Sequence, residues 1–227
     1  MLRQFIALLT LAIMAALGTP ITAQTAQKKV LVMGDSMLAS HRISGRAVSH
    51  TIRRATGMKV NDNSVLGARI IYRLPITGSM GLNIGKQFRK GNWDWVVLNG
   101  GGNDLWLGCG CSKYDRKLNQ LAAKNGSGAG EIPKLIAKIR RTGAKVIYVG
   151  YLRSPGAGSP IEHCRNDGDE LERRIKAFTN RVDGIYHVSL RDLVPNGDRS
   201  FHGADMIHPS LKGSREIGKR IARIMVK

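Results

Sequence analysis

Acidic residues are scarce in this chain. Among 227 residues, 16 Asp and Glu stand against 36 Lys and Arg, a formal net charge of +20. Aromatic residues are scarcer, at 5%. A cationic excess of this size usually suits nucleic acid. A nucleic-acid surface, however, interleaves aromatics with its cations as stacking platforms, and too few are present. Long apolar runs are also missing. The longest, Phe5 to Gly18, is short of the roughly 20 residues that cross a bilayer. No cysteine follows it, so a lipid anchor has no attachment point there. The only three cysteines, Cys109, Cys111 and Cys164, allow one disulfide and leave one thiol.

The short apolar run has a use. Arg3 precedes it and small residues around Thr22-Ala23 follow it, which is the layout of a secretory signal peptide over residues 1–23. The competing reading is an uncleaved membrane anchor. Cleavage leaves an exported, soluble mature chain of one domain, residues 24–227. Export removes nucleic acid as a partner, so the positive charge suits anionic lipid headgroups, lipopolysaccharide or acidic glycans. A merely solvated basic surface fits it equally. An oxidising compartment permits a bridge from Cys164 to Cys109 or Cys111. Cys109, Cys111, His163 and Cys164 lack a usual zinc spacing, so no metal site is expected.

Beyond residue 24, strand and helix patterns alternate. Buried-strand patterns fall in "KKVLVMGDS", "DWVVLNGGG", "AKVIYVGYL" and "GIYHVSL", with a weaker one in "MKVNDNSVLG". Helical patterns cover 46–55, 131–143, 167–182 and 209–225. Such alternation predicts a three-layer α/β/α sandwich on a five-stranded parallel sheet with right-handed crossovers. Functional groups in these folds collect at the carboxyl ends of strands. That rule gathers Ser36, Asn103 and the "YLRSPGAGS" loop.

Ser36 follows the first strand in a Gly-Asp-Ser turn, where it serves either as a helix N-cap or as a nucleophile. Asp205 precedes His208 by three residues in "ADMIHPS", a spacing that lets the carboxylate fold back onto the imidazole. His202 is the second candidate base. Asn103 offers a side-chain N–H at a strand end, and Gly67 an unhindered backbone N–H, both suited to an oxyanion. Leu105, Trp106 and Leu107 after Asn103 either line an acyl pocket or pack in the core. Arg153 either reads an anionic headgroup or is a structural surface residue. "GGGND" lacks the third Gly of a dinucleotide fingerprint and the Lys-Ser/Thr of a P-loop.

Gly34-Asp35-Ser36-Met37, Gly67, Gly101-Gly102-Asn103-Asp104 and Asp205-Met206-Ile207-His208 occur in the order of the SGNH (GDSL-type) hydrolases, which the chain resembles over nearly its whole mature length. Met37 departs from the family's Leu by a near volume-conserving swap. The resemblance implies a flavodoxin-like sheet of order 2-1-3-4-5 and a cofactor-free serine hydrolase. It implies Ser36 as nucleophile, His208 as general base and Asp205 as its orienting partner. The Ser36 and Gly67 N–H groups with the Asn103 side chain would form the oxyanion hole. The reaction expected is cleavage of an acyl or aryl ester, lipid or lysophospholipid included. Deacetylation of envelope glycans, acyl transfer, and non-catalytic binding of an anionic envelope surface are the alternatives.

Overall fold

The computed structural model describes residues 26–107, 115–156 and 158–227. The expected signal peptide, Cys109 and Cys111 lie outside them. β1 (Lys29–Met33) leads to α1 (Ser36–Ala39) and α2 (Val48–Thr56), then β2 (Lys59–Asp62). A run of short turns follows: α3 (Pro75–Thr77), a π-turn (Gly78–Leu82) and α4 (Ile84–Gln87). Next come β3 (Trp95–Leu98), α5 (Gly102–Trp106), α6 (Asp115–Leu121), α7 (Glu131–Arg140) and β4 (Lys145–Val149). The remainder is α8 (Arg165–Thr179), β5 (Ile185–Val188) and α9 (Leu211–Met225).

The five strands form one parallel sheet in the order β2-β1-β3-β4-β5. Successive side chains of a strand point to opposite faces, and two buried clusters divide the core accordingly. Leu31, Met33, Val96, Leu98 and Val146 meet α7 and α8 through Ile136, Ile139, Leu171 and Ile175. Val30, Val32, Val97 and Ile147 meet α2 and α9 through Val48, Ile52, Ile217 and Ile221. Helices therefore cover both faces, which makes the three layers. Gly218 lets α9 lie close on α2, since a Cβ there would sit 2.6 Å from Thr51 Cβ.

β2 is shorter than the pattern in 58–67 predicts. Asp62 Oδ1 accepts from the Ser64 N–H at 3.0 Å and turns the chain off the sheet edge. Among the described residues no helix is long and apolar enough to cross a membrane.

Candidate active site

The first strand ends in a turn that leaves no room for a side chain at Gly34. A Cβ there would lie 2.4 Å from Asn99 Oδ1. Buried Gln87 clamps the same residue from both sides. The Gly34 N–H donates to Gln87 Oε1 at 2.7 Å, and Gln87 Nε2 donates to the Gly34 carbonyl at 2.9 Å. Asn99 Oδ1 takes the Asp35 N–H at 3.0 Å. The cap of α1 is Asp35, whose Oδ1 accepts from the Met37 N–H at 3.0 Å. Ser36 is thus the first residue inside the helix and its hydroxyl is not engaged in capping. Its N–H has no acceptor within the helix, as for every first-turn donor.

Asp205 and His208 meet as their spacing allows. His208 Nδ1 lies 2.5 Å from Asp205 Oδ2, and Asp205 Oδ1 accepts the backbone N–H groups of Ile207 and His208, each at 3.0 Å. Burial would raise the Asp205 carboxyl, but these three hydrogen bonds outweigh it and hold the group at about 2. An ionised Asp205 fixes the Nδ1–H tautomer and leaves Nε2 as the basic nitrogen. The loop is strained: Met206, buried at 5% exposure, has φ +56°, a region that non-glycine residues rarely occupy. His41 Nε2 donates to the Pro209 carbonyl at 2.9 Å and ties this loop to the α1–α2 connection.

Asn103 stands in the first turn of α5, entered through Gly101 at φ +107°. Its Nδ2 donates to the Ala68 carbonyl at 3.0 Å, which leaves one amide hydrogen. The next residue, Asp104, is buried and accepts the Ile70 and Ile71 N–H groups at 2.9 and 2.7 Å. Together they fix the segment that carries Gly67, which is exposed with φ +74°.

Ser36, Asn103 and His208 all line one cavity of about 380 Å³. Among the described residues Ser36 and His208 are not hydrogen-bonded to each other. Contacts of this kind often tighten only when substrate binds. Gly67 is not on the cavity wall, and His202 is buried away from it, its imidazole pushed down by burial. Leu105 and Trp106 line the cavity, and Leu105 packs in the core as well. Leu107 is exposed and off the wall.

Arg153 lines the cavity, but its Nη2 lies 2.5 Å from both Asp169 and Glu172, and its Nη1 donates to the Tyr151 carbonyl at 3.2 Å. This cation is already paired. Cys164, also on the wall, is disulfide-bonded.

Three residues of the site were not foreseen from the sequence: Tyr151, Gln87 and Asn99. The Tyr151 hydroxyl donates to Asp35 Oδ2 and accepts the Gly102 N–H at 2.9 Å. Its only local signal is a polar side chain at a strand's carboxyl end. The same holds for Asn99, while Gln87 carries none.

The model of the GDSL-like lipase/acylhydrolase family matches residues 32–216. The chain belongs to this family. Membership makes it an SGNH-type, ester-cleaving hydrolase. No curated protein matches the chain in sequence. Among solved structures, a candidate SGNH hydrolase from Slackia heliotrinireducens has 16% identity and a TM-score of 0.57, over 88% of this chain and 99% of that one. A candidate lipolytic G-D-S-L protein from Desulfitobacterium hafniense has 12% identity and a TM-score of 0.59, over 87% and 99%. A family two carbohydrate esterase from Clostridium thermocellum, in complex with cellohexaose, has 15% identity and a TM-score of 0.56, over 87% and 63%. At such identities the likeness establishes the SGNH fold.

Proposed function

We propose that the protein is an exported serine esterase that cleaves acyl or aryl esters through an acyl-enzyme. The observation that carries this reading is one cavity shared by Ser36, Asn103 and His208, with the histidine locked by Asp205. His208 Nε2 takes the Ser36 proton as Oγ attacks the ester carbonyl. The oxyanion is met by the Ser36 N–H and the free Asn103 hydrogen, with the Gly67 N–H as the third donor. His208 then returns the proton to the leaving alcohol. Water repeats the sequence and releases the acid.

Leu105, Trp106, Leu152, Ile161 and Val194 make much of the cavity wall apolar, which suits an acyl or aryl group, a lipid or lysophospholipid chain included. The likeness to a carbohydrate esterase favours a second substrate reading, deacetylation of envelope glycans. Transfer of the acyl group to another alcohol uses the same residues. Export rests on the signal-peptide pattern of residues 1–23.

The test is a panel of p-nitrophenyl esters of rising chain length, run with acetylated glycan on the mature protein beside Ser36→Ala. Hydrolysis that vanishes with Ser36 supports the reading, and the favoured chain length selects the substrate class. Full activity in Ser36→Ala overturns it. A non-catalytic envelope-binding module predicts no labelling of Ser36 by a fluorophosphonate.

A further inference from the structure

Charge is segregated along the chain. From Ser36 to Trp93 there are ten Lys and Arg, and Asp62 is the one acidic residue. Among the described residues, every ion pair lies between residues 115 and 220. Arg42, Arg46, Arg73, Lys86, Arg89 and Lys90 are all exposed and none is in an ion pair.

The same stretch holds five of the large apolar side chains left in solvent. Ile43 is fully exposed, and Leu66, Leu74, Ile76 and Met80 are 62–75% exposed. They belong to adjoining segments. Arg42 Nη1 donates to the Ser64 carbonyl at 2.5 Å, which ties the segment bearing Ile43 to the 64–66 turn. Val65 packs on Gly81, beside Met80. The turns bearing Leu74, Ile76 and Met80 are closed by Asn83 Nδ2 to the Tyr72 carbonyl and by the Tyr72–Thr77 hydroxyl contact. Lys86 Nζ reaches the Pro75 carbonyl at 3.5 Å. These side chains are therefore held outward by a braced scaffold, with cations around them.

We propose that the surface formed by Ile43, Leu66 and the 74–80 turns seats the protein on an anionic phospholipid bilayer. Exposed apolar groups rimmed by polar residues mark an interaction site. Apolar side chains with Lys and Arg beside them fit the headgroup–acyl boundary. An acidic glycan would take the cations but give Leu, Ile and Met no apolar medium. A second copy of this chain would bring like charge against like. The segment also adjoins the site: Asn103 and Asp104 anchor residues 68–71, and Leu66 directly precedes Gly67. Docking there brings membrane-borne esters beside the cavity. The binding itself does not depend on the ester-cleaving reading.

The test is co-sedimentation of the mature chain with vesicles of equal parts phosphatidylglycerol and phosphatidylcholine, against phosphatidylcholine alone. It is repeated on Ser36→Ala, so that vesicle hydrolysis and loss of the catalytic reading leave the result intact. The expected result is binding to the anionic vesicles only, weakened by salt. Ile76→Ser/Met80→Ser should bind roughly tenfold or more weakly. Arg73→Glu/Lys86→Glu should lose about 25-fold or more, at about fivefold for each cation removed from the surface. Both variants should keep their circular dichroism and their hydrolysis of p-nitrophenyl acetate. Three results overturn the proposal: vesicle binding that both variants retain in full, equal binding to acidic polysaccharide that ignores Ile76 and Met80, or a sedimenting dimer abolished by these substitutions.

Discussion

Tyr151 and Asp35 are 116 residues apart in sequence, yet the phenol of one donates directly to the buried carboxylate of the other. The same oxygen accepts the Gly102 N–H. Three strand ends thereby meet at one atom: the turn bearing Ser36, the turn bearing Asn103, and the chain leaving β4. Burial foremost, then the neighbouring Asp35 charge, pushes the Tyr151 hydroxyl well above its ordinary value, so it stays a donor. Burial raises the Asp35 carboxyl against the hydrogen bonds from Tyr151 and Met37.

Removing that oxygen with Tyr151→Phe leaves Asp35 Oδ2 and the Gly102 N–H without their partner. The expected cost is about 1–3 kcal/mol in urea unfolding. Because Ser36 and Asn103, the proposed nucleophile and oxyanion donor, are then positioned less firmly, kcat should fall roughly ten- to hundred-fold, with KM little changed. Steady-state kinetics that match wild type would remove Tyr151 from the positioning machinery.

Asn103→Ala deletes one proposed oxyanion donor and should lower kcat by about 10²–10³. It also frees the Ala68 carbonyl, so a small loss of stability, about 1 kcal/mol, accompanies it. Single-turnover kinetics with a p-nitrophenyl ester measure the first effect and thermal unfolding the second.

Asp205 has its carboxyl held at about 2, below the ordinary 3.8. A depressed carboxyl contributes stability above its unfolded value and loses it as pH falls through the folded one. Its charge therefore persists through the whole range above about pH 3. Asp205→Asn should lower kcat/KM by roughly 10²–10⁴ across that entire range. A pH–rate profile in which the variant rejoins wild type near pH 5 would contradict this.

Arg174 is buried at 1% exposure and is held by Glu170 Oε1 at 2.7 Å, Asn119 Oδ1 at 2.7 Å and the Ala122 carbonyl at 3.0 Å. Hydrogen bonds from Arg173 first, and Arg174 with it, bring the Glu170 carboxyl down to about 2 against the opposing effect of burial. This stability is complete above about pH 4.5 and disappears as pH falls toward 2. Glu170→Gln should destabilise the fold by about 1–3 kcal/mol at neutral pH, and its deficit should shrink in acid. Urea midpoints taken across this window test the sign.

Much of the fold was legible because its strands are short, apolar and wholly buried: Val30 to Met33 and Val96 to Leu98 are 0% exposed. The long helices carry their periodicity openly, as Ile132, Leu135, Ile136 and Ile139 do in α7. The turns from 75 to 87 and the α5 turn were not legible. They are fixed by distant partners, such as Asp104 reaching Ile70 and Ile71, rather than by local pattern. The site divides the same way. Asp205 and His208 touch across three residues, so their spacing shows the pair. Gln87 meets Gly34 across 53 residues, and no short window contains both. Taken alone, Ser36 reads more readily as a cap than as a nucleophile, and only the structure gives that duty to Asp35.

The seating of α9 on α2 through Gly218 also sets an order of events along the chain. Ser36 stands close behind the first strand, whereas Asp205 and His208 lie beyond the last, in the loop that delivers α9. All five strands are complete by Val188, so a polypeptide ending there already contains every strand segment, Ser36 and Asn103. It has no base. On the proposed reading, chemistry requires the final helix to dock and carry its preceding loop to the cavity. Hydrolysis is in this sense a readout of C-terminal completion, and a C-terminal truncation should silence the enzyme while most of its core remains encoded.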